Sequence, residues 1–327
     1  MGTETMRAVR VHEHGGPERL VYEEVPRPSA GAGEVLVRVH AAGVNPADWY
    51  ARGGFTNIAR ELRPVWPLPF TPGYDVSGVV VAVGAGVAQW APGDEVFGLV
   101  AFPGTGSAYA EYVSAPAGDL ARKPASLDHV AAAAAPLAGL TAYQFLFEHI
   151  PSAYGDLVRG STVLVNGAAG GVGHFAVQLA RVAGAVRVTG VASGRHEAFL
   201  KDLGVDSFVD YTKTPVEDVV REVDLLVDAV GGPDGHRLLP VLRRGGHIAP
   251  VFLGEYDPER AASLGITVQG WQVRSSGPQL AELGGLLESG RVRVGVDSVF
   301  PLSAASEAHV RAERGHIQGK IVLRVVE

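Results

Sequence analysis

The sequence predicts an α/β protein in which a partly open β-barrel is joined to a doubly wound parallel sheet. Three observations support this fold class. Short β-branched segments, interrupted by Gly and Pro, fill residues 6–124 and are typical of an all-β module. From residue 125 to residue 272, such segments alternate with helical patterns, as in a parallel sheet covered by helices. A glycine-rich turn joins the first strand of this second part to the helix that follows it.

The length and composition agree with two folded domains. At 327 residues the chain exceeds what one hydrophobic core usually serves. With 46% hydrophobic and 19% charged residues, it can bury substantial cores and is not a disordered chain. Its formal charge of −7, without any cluster of Lys and Arg, argues against a nucleic-acid surface or a polybasic membrane patch. Cysteine is absent, which excludes disulfides and thiolate metal sites.

The all-β module is predicted to occupy residues 1–124, and a mixed segment of helices and strands is predicted from residue 273 to residue 327. In the first of these, strands are predicted at Arg7–His12, Glu34–Val39, Val76–Val83, Glu95–Val100 and Ala108–Val113. In the second, strands are predicted at Val294–Phe300 and Lys320–Val326, and helices at Gln279–Glu288 and Ala304–Arg314.

The parallel sheet is predicted to occupy residues 125–272. The apolar run from Val130 to Phe147 contains Pro136 and only just reaches the length that spans a bilayer, so a buried helix explains it better. The six strands of the sheet are predicted at Thr162–Val165, Arg187–Ala192, Phe208–Tyr211, Leu225–Val230, His247–Phe252 and Ile266–Trp271.

The turn after the first of these strands has the form of a dinucleotide site. Its glycines let the backbone turn sharply, let a pyrophosphate approach the main chain and let the helix pack close to the strand. Free N–H groups at the helix N-terminus then face the anion. A tight turn without a ligand is the alternative, which the preceding strand and the following amphipathic helix disfavour. The contacts are predicted at Ala168, which stands where the first glycine of G-x-G-x-x-G is expected, and at Ala169, Gly170, Gly171, Val172 and Gly173.

The end of the second strand favours NADPH over NADH. A free ribose 2′-hydroxyl usually meets an Asp or Glu at this point, but no carboxylate precedes Glu197. Ser193 can donate a hydrogen bond and Arg195 a charge-assisted fork, which suit a 2′-phosphate. The alternative for Arg195 is a solvated residue at a helix start.

The N-terminal residues predict no export. Residues 1–7 lead directly into a strand pattern without an apolar signal core, so a cytoplasmic protein is expected.

The order and wording of eight segments resemble one family. The chain is similar to the medium-chain dehydrogenase/reductases and, within them, to the zinc-free, zeta-crystallin-like quinone oxidoreductase branch. The similarity covers nearly the whole chain. Its segments are Gly43-Val-Asn-Pro-Ala-Asp48, Pro72-Gly-Tyr-Asp-Val-Ser-Gly78, Gly93-Asp-Glu-Val-Phe-Gly98, Ala108-Tyr-Ala-Glu-Tyr112, Leu140-Thr-Ala-Tyr143, the glycine turn, Asp228-Ala-Val-Gly-Gly232 and Gly319-Lys-Ile-Val-Leu323.

This resemblance implies the arrangement of the domains and of the site. It implies a GroES-like catalytic domain made of residues 1–124 and completed by residues 273–327, with a Rossmann NADP-binding domain at 125–272 and the active site in the cleft between them. It also implies a homodimer joined through the last Rossmann strand, near Ile266–Trp271. To the cofactor contacts it adds Tyr211, near the 2′-phosphate, and Thr141, Val230, Gly231 and Lys320.

Departures from the zinc-dependent members of this family predict a site without metal. Those enzymes carry a catalytic Cys where Asn45 stands and a His-Glu pair where Tyr74 and Asp75 stand. A catalytic zinc needs three protein ligands, and the structural zinc needs four thiolates. His12 and His14 are the only close histidine pair, and with no third ligand nearby a solvated strand edge explains them better.

Without a metal, the acceptor should be one that does not need a strong Lewis acid. An electron-poor conjugated carbonyl, such as a quinone, an enone or an alkenal, accepts hydride at carbon and spreads the charge onto an oxygen that hydrogen-bond donors can stabilise. Asn45 is the first candidate donor, and Tyr50 and Tyr74 are the second. The alternatives are that Asn45 caps a turn before Pro46 and that the tyrosines fill the cleft wall.

The aromatic residues Trp49, Phe55 and Trp66 favour a small planar acceptor, although aromatics at such spacing also form cores.

Reduction of enoyl thioesters is a competing hypothesis. Relatives with that activity carry a proton-donating Tyr a few residues beyond the Gly-Gly pair, where this chain has Phe55. A third hypothesis is a non-catalytic NADPH-binding protein, because the glycine turn indicates only binding.

Overall fold

The computed structural model describes residues 4–56 and 58–326. Its strands are β1 (Thr5–Val11), β2 (Leu20–Pro26), β3 (Glu34–Val44), β4 (Asp75–Val83), β5 (Glu95–Leu99), β6 (Tyr112–Pro116), β7 (Leu120–Arg122), β8 (Thr162–Asn166), β9 (Arg187–Ala192), β10 (Ser207–Asp210), β11 (Val223–Asp228), β12 (Leu242–Pro250), β13 (Thr267–Val268), β14 (Val296–Pro301) and β15 (Lys320–Arg324).

The α-helices are α1 (Pro46–Arg52), α2 (His129–Ala133), α3 (Pro136–Gln144), α4 (Ile150–Tyr154), α5 (Gly171–Val182), α6 (Glu197–Asp202), α7 (Val216–Val219), α8 (Pro258–Ser263), α9 (Gly277–Glu288) and α10 (Ala305–Glu313). A π-helical turn, Phe145–His149, joins α3 to α4. Short 3₁₀ turns occupy Pro17–Arg19, Arg60–Leu62, Ala117–Asp119, Gly194–His196, Gly235–Val241 and Leu302–Ala304.

The N-terminal and C-terminal parts of the chain share one sheet. Its strand order is β14-β15-β3-β4-β5-β7, with β6 also paired to β3, and β1 and β2 form a separate antiparallel hairpin. Apolar residues on the inner face, including Val37, Val96 and Leu323, are fully buried. Because β15 and β4 flank β3, Ile321 lies opposite Val44 and Asp75 lies opposite Gly43. This register determines which side chains meet in the site described below.

The middle of the chain forms a second sheet of six parallel strands in the order β10-β9-β8-β11-β12-β13. The strand order reverses between β8 and β11, and ligands of such sheets bind outside the carboxyl ends of the strands at this switch point. Buried apolar strands and helices on the two faces provide the core. The two-part α/β fold predicted from the sequence is confirmed, while the domain boundaries at 124/125 and 272/273 stay predictions.

Apart from differences at strand ends and the short β13, which is Thr267–Val268 where 266–271 was predicted, the predicted strands differ from the observed ones in three places. The sequence analysis missed β2 and β7. It also predicted a strand at residues 108–113, whereas the strand there is β6, shifted towards the C-terminus. The reason is that the segment before β6 bonds to separate parts of the chain: the Ala108 N–H donates to Gly73, the Tyr109 N–H to Pro72 and the Glu111 N–H to Arg7. Such scattered bonds do not form a ladder with one neighbouring strand.

The apolar run 130–147 folds into α2, α3 and the π-helical turn, most of which is buried, as predicted. Within residues 4–56 and 58–326, no helix combines the length and the apolar character needed to cross a membrane.

Candidate active site

The glycine turn presents free backbone donors at the carboxyl end of β8. Gly170 is the N-cap of α5, and the N–H groups of Gly171, Val172 and Gly173 have no acceptor among the described residues. A twelve-residue helix behind these groups favours an anion in front of them. The turn therefore fits a pyrophosphate.

Close packing explains the glycine at position 173. A Cβ added there would lie 2.1 Å from the Gly167 carbonyl oxygen and 2.8 Å from the Ala168 Cα. Any side chain would push α5 away from the end of β8. Gly170 is less constrained, since its added Cβ would meet only the Gly167 oxygen at 3.4 Å. The glycine at position 173 therefore allows α5 to pack close to the end of β8, as the third glycine of this pattern does in dinucleotide-binding folds.

The turn is tied to the barrel by two hydrogen bonds. The Gly319 N–H donates to the Ala169 carbonyl at 2.8 Å, and the Gly295 N–H donates to Nε2 of His174 at 3.2 Å. The other ring nitrogen, Nδ1, lies 2.9 Å from the Gly170 carbonyl oxygen. Sequence analysis missed His174, although its position directly after the last glycine of the turn was a signal.

The side chains predicted to meet a 2′-phosphate lie at the carboxyl ends of the neighbouring strands β9 and β10. Ser193 Oγ is buried and has no hydrogen-bond partner among the described residues. The Arg195 Nε donates to His196 at 3.1 Å, and its guanidinium also donates to the carbonyl of His316. Tyr211 is 47% exposed, and its hydroxyl lies 3.3 Å from Nδ1 of His316. This edge of the candidate cofactor site therefore combines a hydroxyl without a hydrogen-bond partner among the described residues, a guanidinium and a phenol.

Two residues at this edge were not found from the sequence. His316 reaches it from the loop before β15, which no local pattern indicates. Asp210, at the end of β10, would lie 2.4 Å from a Cβ added at Gly194. Its carboxylate accepts hydrogen bonds from Thr212 and lies 3.3 Å from Lys213, and Thr212 and Lys213 lower the pKa of Asp210.

Two further residues expected to contact the cofactor, Val230 and Gly231, lie in the loop after β11. The N–H groups of Val230 and Gly231 donate to the Asp228 carboxylate at 3.0 and 3.2 Å, which fixes the loop. Val230 is 57% exposed, so this loop presents an apolar side chain at the surface. Thr141 is buried in α3, and its hydroxyl donates to the Leu137 carbonyl at 2.7 Å. Its oxygen can still accept one hydrogen bond.

On the barrel side, the register of the sheet brings three polar side chains together. Asn45 follows β3, Asp75 begins β4 and Lys320 begins β15, and all three are almost completely buried. Asn45 Nδ2 donates to Asp75 Oδ2 at 2.9 Å. Lys320 Nζ donates to the Val44 carbonyl at 2.9 Å and to Asn45 Oδ1, and lies 3.5 Å from Asp75 Oδ2. The pairing satisfies both charges away from water.

Glycine at position 43 makes room for this cluster. An added Cβ there would lie 2.7 Å from Asp75 Oδ2 and 2.6 Å from the Ala133 carbonyl oxygen. Asp75 Oδ1 accepts the Leu137 N–H at 2.7 Å, at the start of α3. Burial raises the pKa of Asp75 and lowers that of Lys320, and the opposite charge of each partner acts against these shifts.

A second buried network lies behind Asn45. Oδ2 of Asp48 accepts the Asn45 N–H at 2.8 Å and the Tyr109 hydroxyl at 2.9 Å, and that hydroxyl lies 3.2 Å from Nε2 of His309. Burial and the nearby Asp75 charge raise the pKa of Asp48 to about 7, against the lowering effect of these two hydrogen bonds. This network fixes the N-terminus of α1, where Asn45 is the N-cap.

The two candidate tyrosines lie in different surroundings. The Tyr50 ring stacks on Phe252 from the other domain, with centroids 5.2 Å apart and planes at 16°. Tyr74 is 3% exposed and meets Phe102 edge-on at 4.8 Å. Burial raises the pKa of both hydroxyls, so both stay protonated near neutral pH. Neither hydroxyl makes a hydrogen bond within the described part of the chain, and each is free to donate one.

The donor set at Asn45, Asp75 and Lys320 does not suit a zinc ion. An amide and one carboxylate replace the expected ligands, and an ammonium group that contacts both would repel a cation. Among residues 4–56 and 58–326, no group of three His, Asp or Glu side chains could hold a metal. His12 lies 2.8 Å from Glu23 and His14 lies 3.2 Å from the Arg52 carbonyl oxygen, so the pair does not converge.

Comparison with known proteins agrees with this geometry. The family described as "Alcohol dehydrogenase GroES-like domain" matches residues 31–125, and that described as "Zinc-binding dehydrogenase" matches residues 203–323. The mouse mitochondrial NAD(P)H oxidoreductase RTN4IP1 is 34% identical, over 90% of this chain and 82% of that protein. The chloroplastic NADPH-dependent alkenal/one oxidoreductase of Arabidopsis thaliana is also 34% identical, over 97% of this chain and 79% of that protein.

A solved structure gives the same result for the fold. The quinone oxidoreductase from Coxiella burnetii is 34% identical and superposes with a TM-score of 0.86, covering 99% of this chain and 100% of that chain. These matches extend over the barrel, the glycine turn and the C-terminal strands. The chain therefore belongs to the medium-chain dehydrogenase/reductase superfamily, in its quinone oxidoreductase branch.

Proposed function

We propose that this protein is an NADPH-dependent, metal-independent reductase of quinones and related conjugated carbonyls, including enones and alkenals. The observation that supports this most directly is the junction of two sites. The dinucleotide turn, through Ala169, bonds to Gly319, and the next residue, Lys320, reaches the Asn45 amide. The cofactor and the acceptor would therefore meet in the cleft, next to the start of β15.

The residues of the cleft suit hydride acceptance by a conjugated carbonyl. A bound reduced nicotinamide supplies hydride from C4 and is oxidised to the pyridinium form. As hydride adds to the acceptor carbon, an electron pair of the conjugated system moves to the carbonyl oxygen, which then takes a proton from solvent. Asn45, Tyr50 and Tyr74 have N–H or O–H groups that can stabilise the charge on that oxygen.

NADPH, rather than NADH, fits the edge of the pocket near β9. Ser193 Oγ is buried without a partner, and a 2′-phosphate would satisfy it. The Arg195 guanidinium and the Tyr211 hydroxyl add donors at the same edge. Asp210 would oppose the phosphate, but Thr212 and Lys213 engage its carboxylate.

The Lys320 ammonium, which contacts both Asn45 and Asp75, supports activity without metal. The stacked pair of Tyr50 and Phe252, beside exposed Val230, supports an acceptor with a flat apolar body.

A homodimer through residues 266–271 remains part of the proposal, since β13 is the last strand of its sheet and pairs only with β12 in the described chain. Sedimentation velocity of the purified protein tests the dimer.

NADPH consumption measured against a panel of quinones, enones, alkenals and enoyl thioesters tests the function. Turnover of the conjugated ketones and quinones with little turnover of the thioesters supports the proposal. Preferred reduction of enoyl thioesters would favour that alternative, although Phe55, unlike a tyrosine, has no hydroxyl to donate a proton. Tight NADPH binding without oxidation by any acceptor would indicate a non-catalytic binding protein.

A further inference from the structure

Lys320 is a buried side chain whose Nζ lies beside Asn45 and Asp75. The side chain is 3% exposed, and Nζ donates to the Val44 carbonyl and to Asn45 Oδ1 and lies 3.5 Å from Asp75 Oδ2. A neutral amine could keep its two hydrogen bonds, but it would leave the buried Asp75 carboxylate without an opposite charge. The ion pair therefore favours the charged form of Lys320.

The aliphatic part of the Lys320 side chain extends from the glycine turn to Asn45 and Asp75. A Cβ added at Gly171 would lie 3.2 Å from Lys320 Cδ, so the aliphatic part packs on the glycine turn. The sequence resemblance implied a cofactor-binding role for Lys320. In the structure its stem contacts the turn, but its ammonium is directed to Asn45 and Asp75.

Lys320 and Asp75 together fix the orientation of the Asn45 amide. Because Oδ1 accepts from the ammonium, Nδ2 must face the carboxylate, to which it donates one N–H. The flipped amide would place N–H groups against an ammonium and an oxygen against a carboxylate. The second N–H of Nδ2 has no acceptor among the described residues and stays free to donate to a ligand.

We propose that Lys320 is a positioning residue for reduction: it holds the Asn45 amide so that its free N–H meets the acceptor oxygen, and its fixed positive charge stabilises that oxygen as hydride arrives. This rests on the proposed function. The ammonium would contribute the electrostatic part of what a zinc ion does in metal-dependent relatives, from behind the amide rather than in contact with the acceptor.

Removing Lys320 alone leaves the buried Asp75 carboxylate unpaired, and Asp75→Asn alone leaves the buried ammonium unpaired, so either single change destabilises the fold. The comparison is therefore between the wild-type protein, which has the ion pair, and the double variant Lys320→Met/Asp75→Asn, which has no charge at the site. Each is measured for melting midpoint, NADPH dissociation constant, and kcat and KM with a benzoquinone and with an enone. We also include Lys320→Arg, which keeps a cation.

We expect the double variant to bind NADPH within about twofold of the wild-type protein, and to have a kcat roughly 10–1,000-fold lower, up to the loss seen when an oxyanion donor is removed. The loss should be larger for the enone, whose carbonyl is less electron-poor than that of the quinone. Lys320→Arg should retain more activity than the double variant. Equal kcat in the wild-type protein and the double variant, or a loss confined to NADPH binding, would overturn the role of Lys320.

A spectroscopic test needs no turnover. 4-Nitrophenol bound to the NADP⁺ complex should ionise more readily in the wild-type protein than in the double variant, which the phenolate absorption band reports. The same fraction of phenolate in both proteins would contradict a cation that stabilises oxygen charge. Failure of the wild-type protein to reduce any quinone or enone would instead overturn the proposed function, so the two failures are distinguishable.

Discussion

The imidazole of His174 links the glycine turn to Gly295, in the C-terminal part of the chain, through two hydrogen bonds. Nε2 accepts the Gly295 N–H at 3.2 Å, so the ring proton must sit on Nδ1, which donates to the Gly170 carbonyl at 2.9 Å. Protonation of Nε2 would remove the acceptor and place a charge in a fully buried site. Burial accordingly lowers the pKa of His174 to about 4.

This predicts that His174 makes stability fall as the pH is lowered from about 6.5 to about 4. In the unfolded chain an ordinary histidine takes up a proton below about pH 6.5, whereas in the folded chain His174 does not until about pH 4. The unfolded state therefore binds more protons across this window, and the difference amounts to about 3 kcal/mol at its lower end. His174→Gln should flatten the pH dependence of the urea midpoint there.

His12→Gln is the matched control, because His12 lies at the surface beside Glu23. His309, with a pKa lowered to about 3 by burial, remains in both variants and leaves a residual slope. An unchanged slope in His174→Gln would show that the ring does not stay neutral in the folded state.

Asn45→Ala should lower kcat roughly 10–1,000-fold while leaving the NADPH dissociation constant nearly unchanged, since a lost oxyanion donor costs about 1.4–4 kcal/mol. A cap role alone predicts a lower melting midpoint with normal turnover per folded molecule. Asp128→Ala removes the N-cap hydrogen bond of α2, at 2.8 Å, and serves as the control for cap loss. Normal kcat in Asn45→Ala would move the donor role to Tyr50 or Tyr74.

Much of the fold could be predicted because its signals are local. Each of the six strands of the parallel sheet has a short apolar run, and the glycine turn marks where the first becomes a helix. β13 is an exception in length: only Thr267 and Val268 remain in the predicted range 266–271, because pairing with β12 involves only His247 and Ile248. Trp271 leaves the sheet and stacks on His149 with centroids 5.4 Å apart.

The partners within the site could not be predicted, because they are distant in sequence. Asn45 and Asp75 were identified as replacements of metal ligands, but nothing local shows that Lys320 contacts both of them. That contact depends on β3 pairing with both β4 and β15. The reach of His316 to Arg195 likewise depends on how the loop before β15 packs against the other domain.

Activity should be independent of metal. The ammonium of Lys320 lies within 3.5 Å of the Asp75 carboxylate and bonds to the Asn45 amide, which leaves no place for a divalent ion between them. Dialysis against a strong chelator should leave kcat and KM unchanged, and elemental analysis should find no stoichiometric zinc. The prediction would be contradicted if removal of a bound zinc ion abolished activity and addition of zinc restored it.

NADPH should bind at least tenfold tighter than NADH, a difference of about 1.4 kcal/mol or more. A 2′-phosphate would satisfy the orphaned Ser193 hydroxyl and would meet the Arg195 guanidinium, whereas a 2′-hydroxyl gains no charge-assisted bond from either. Arg195→Ala should therefore weaken NADPH binding and leave NADH binding nearly unchanged, as measured by fluorescence titration of both cofactors. Arg159→Ala, which removes an exposed arginine paired with Asp156 at 2.8 Å, makes the same change in net charge and should leave the ratio unaltered. Equal dissociation constants of the two cofactors for the unmodified protein would contradict the prediction, and tighter binding of NADH would show that Asp210, at the same edge, governs the choice instead.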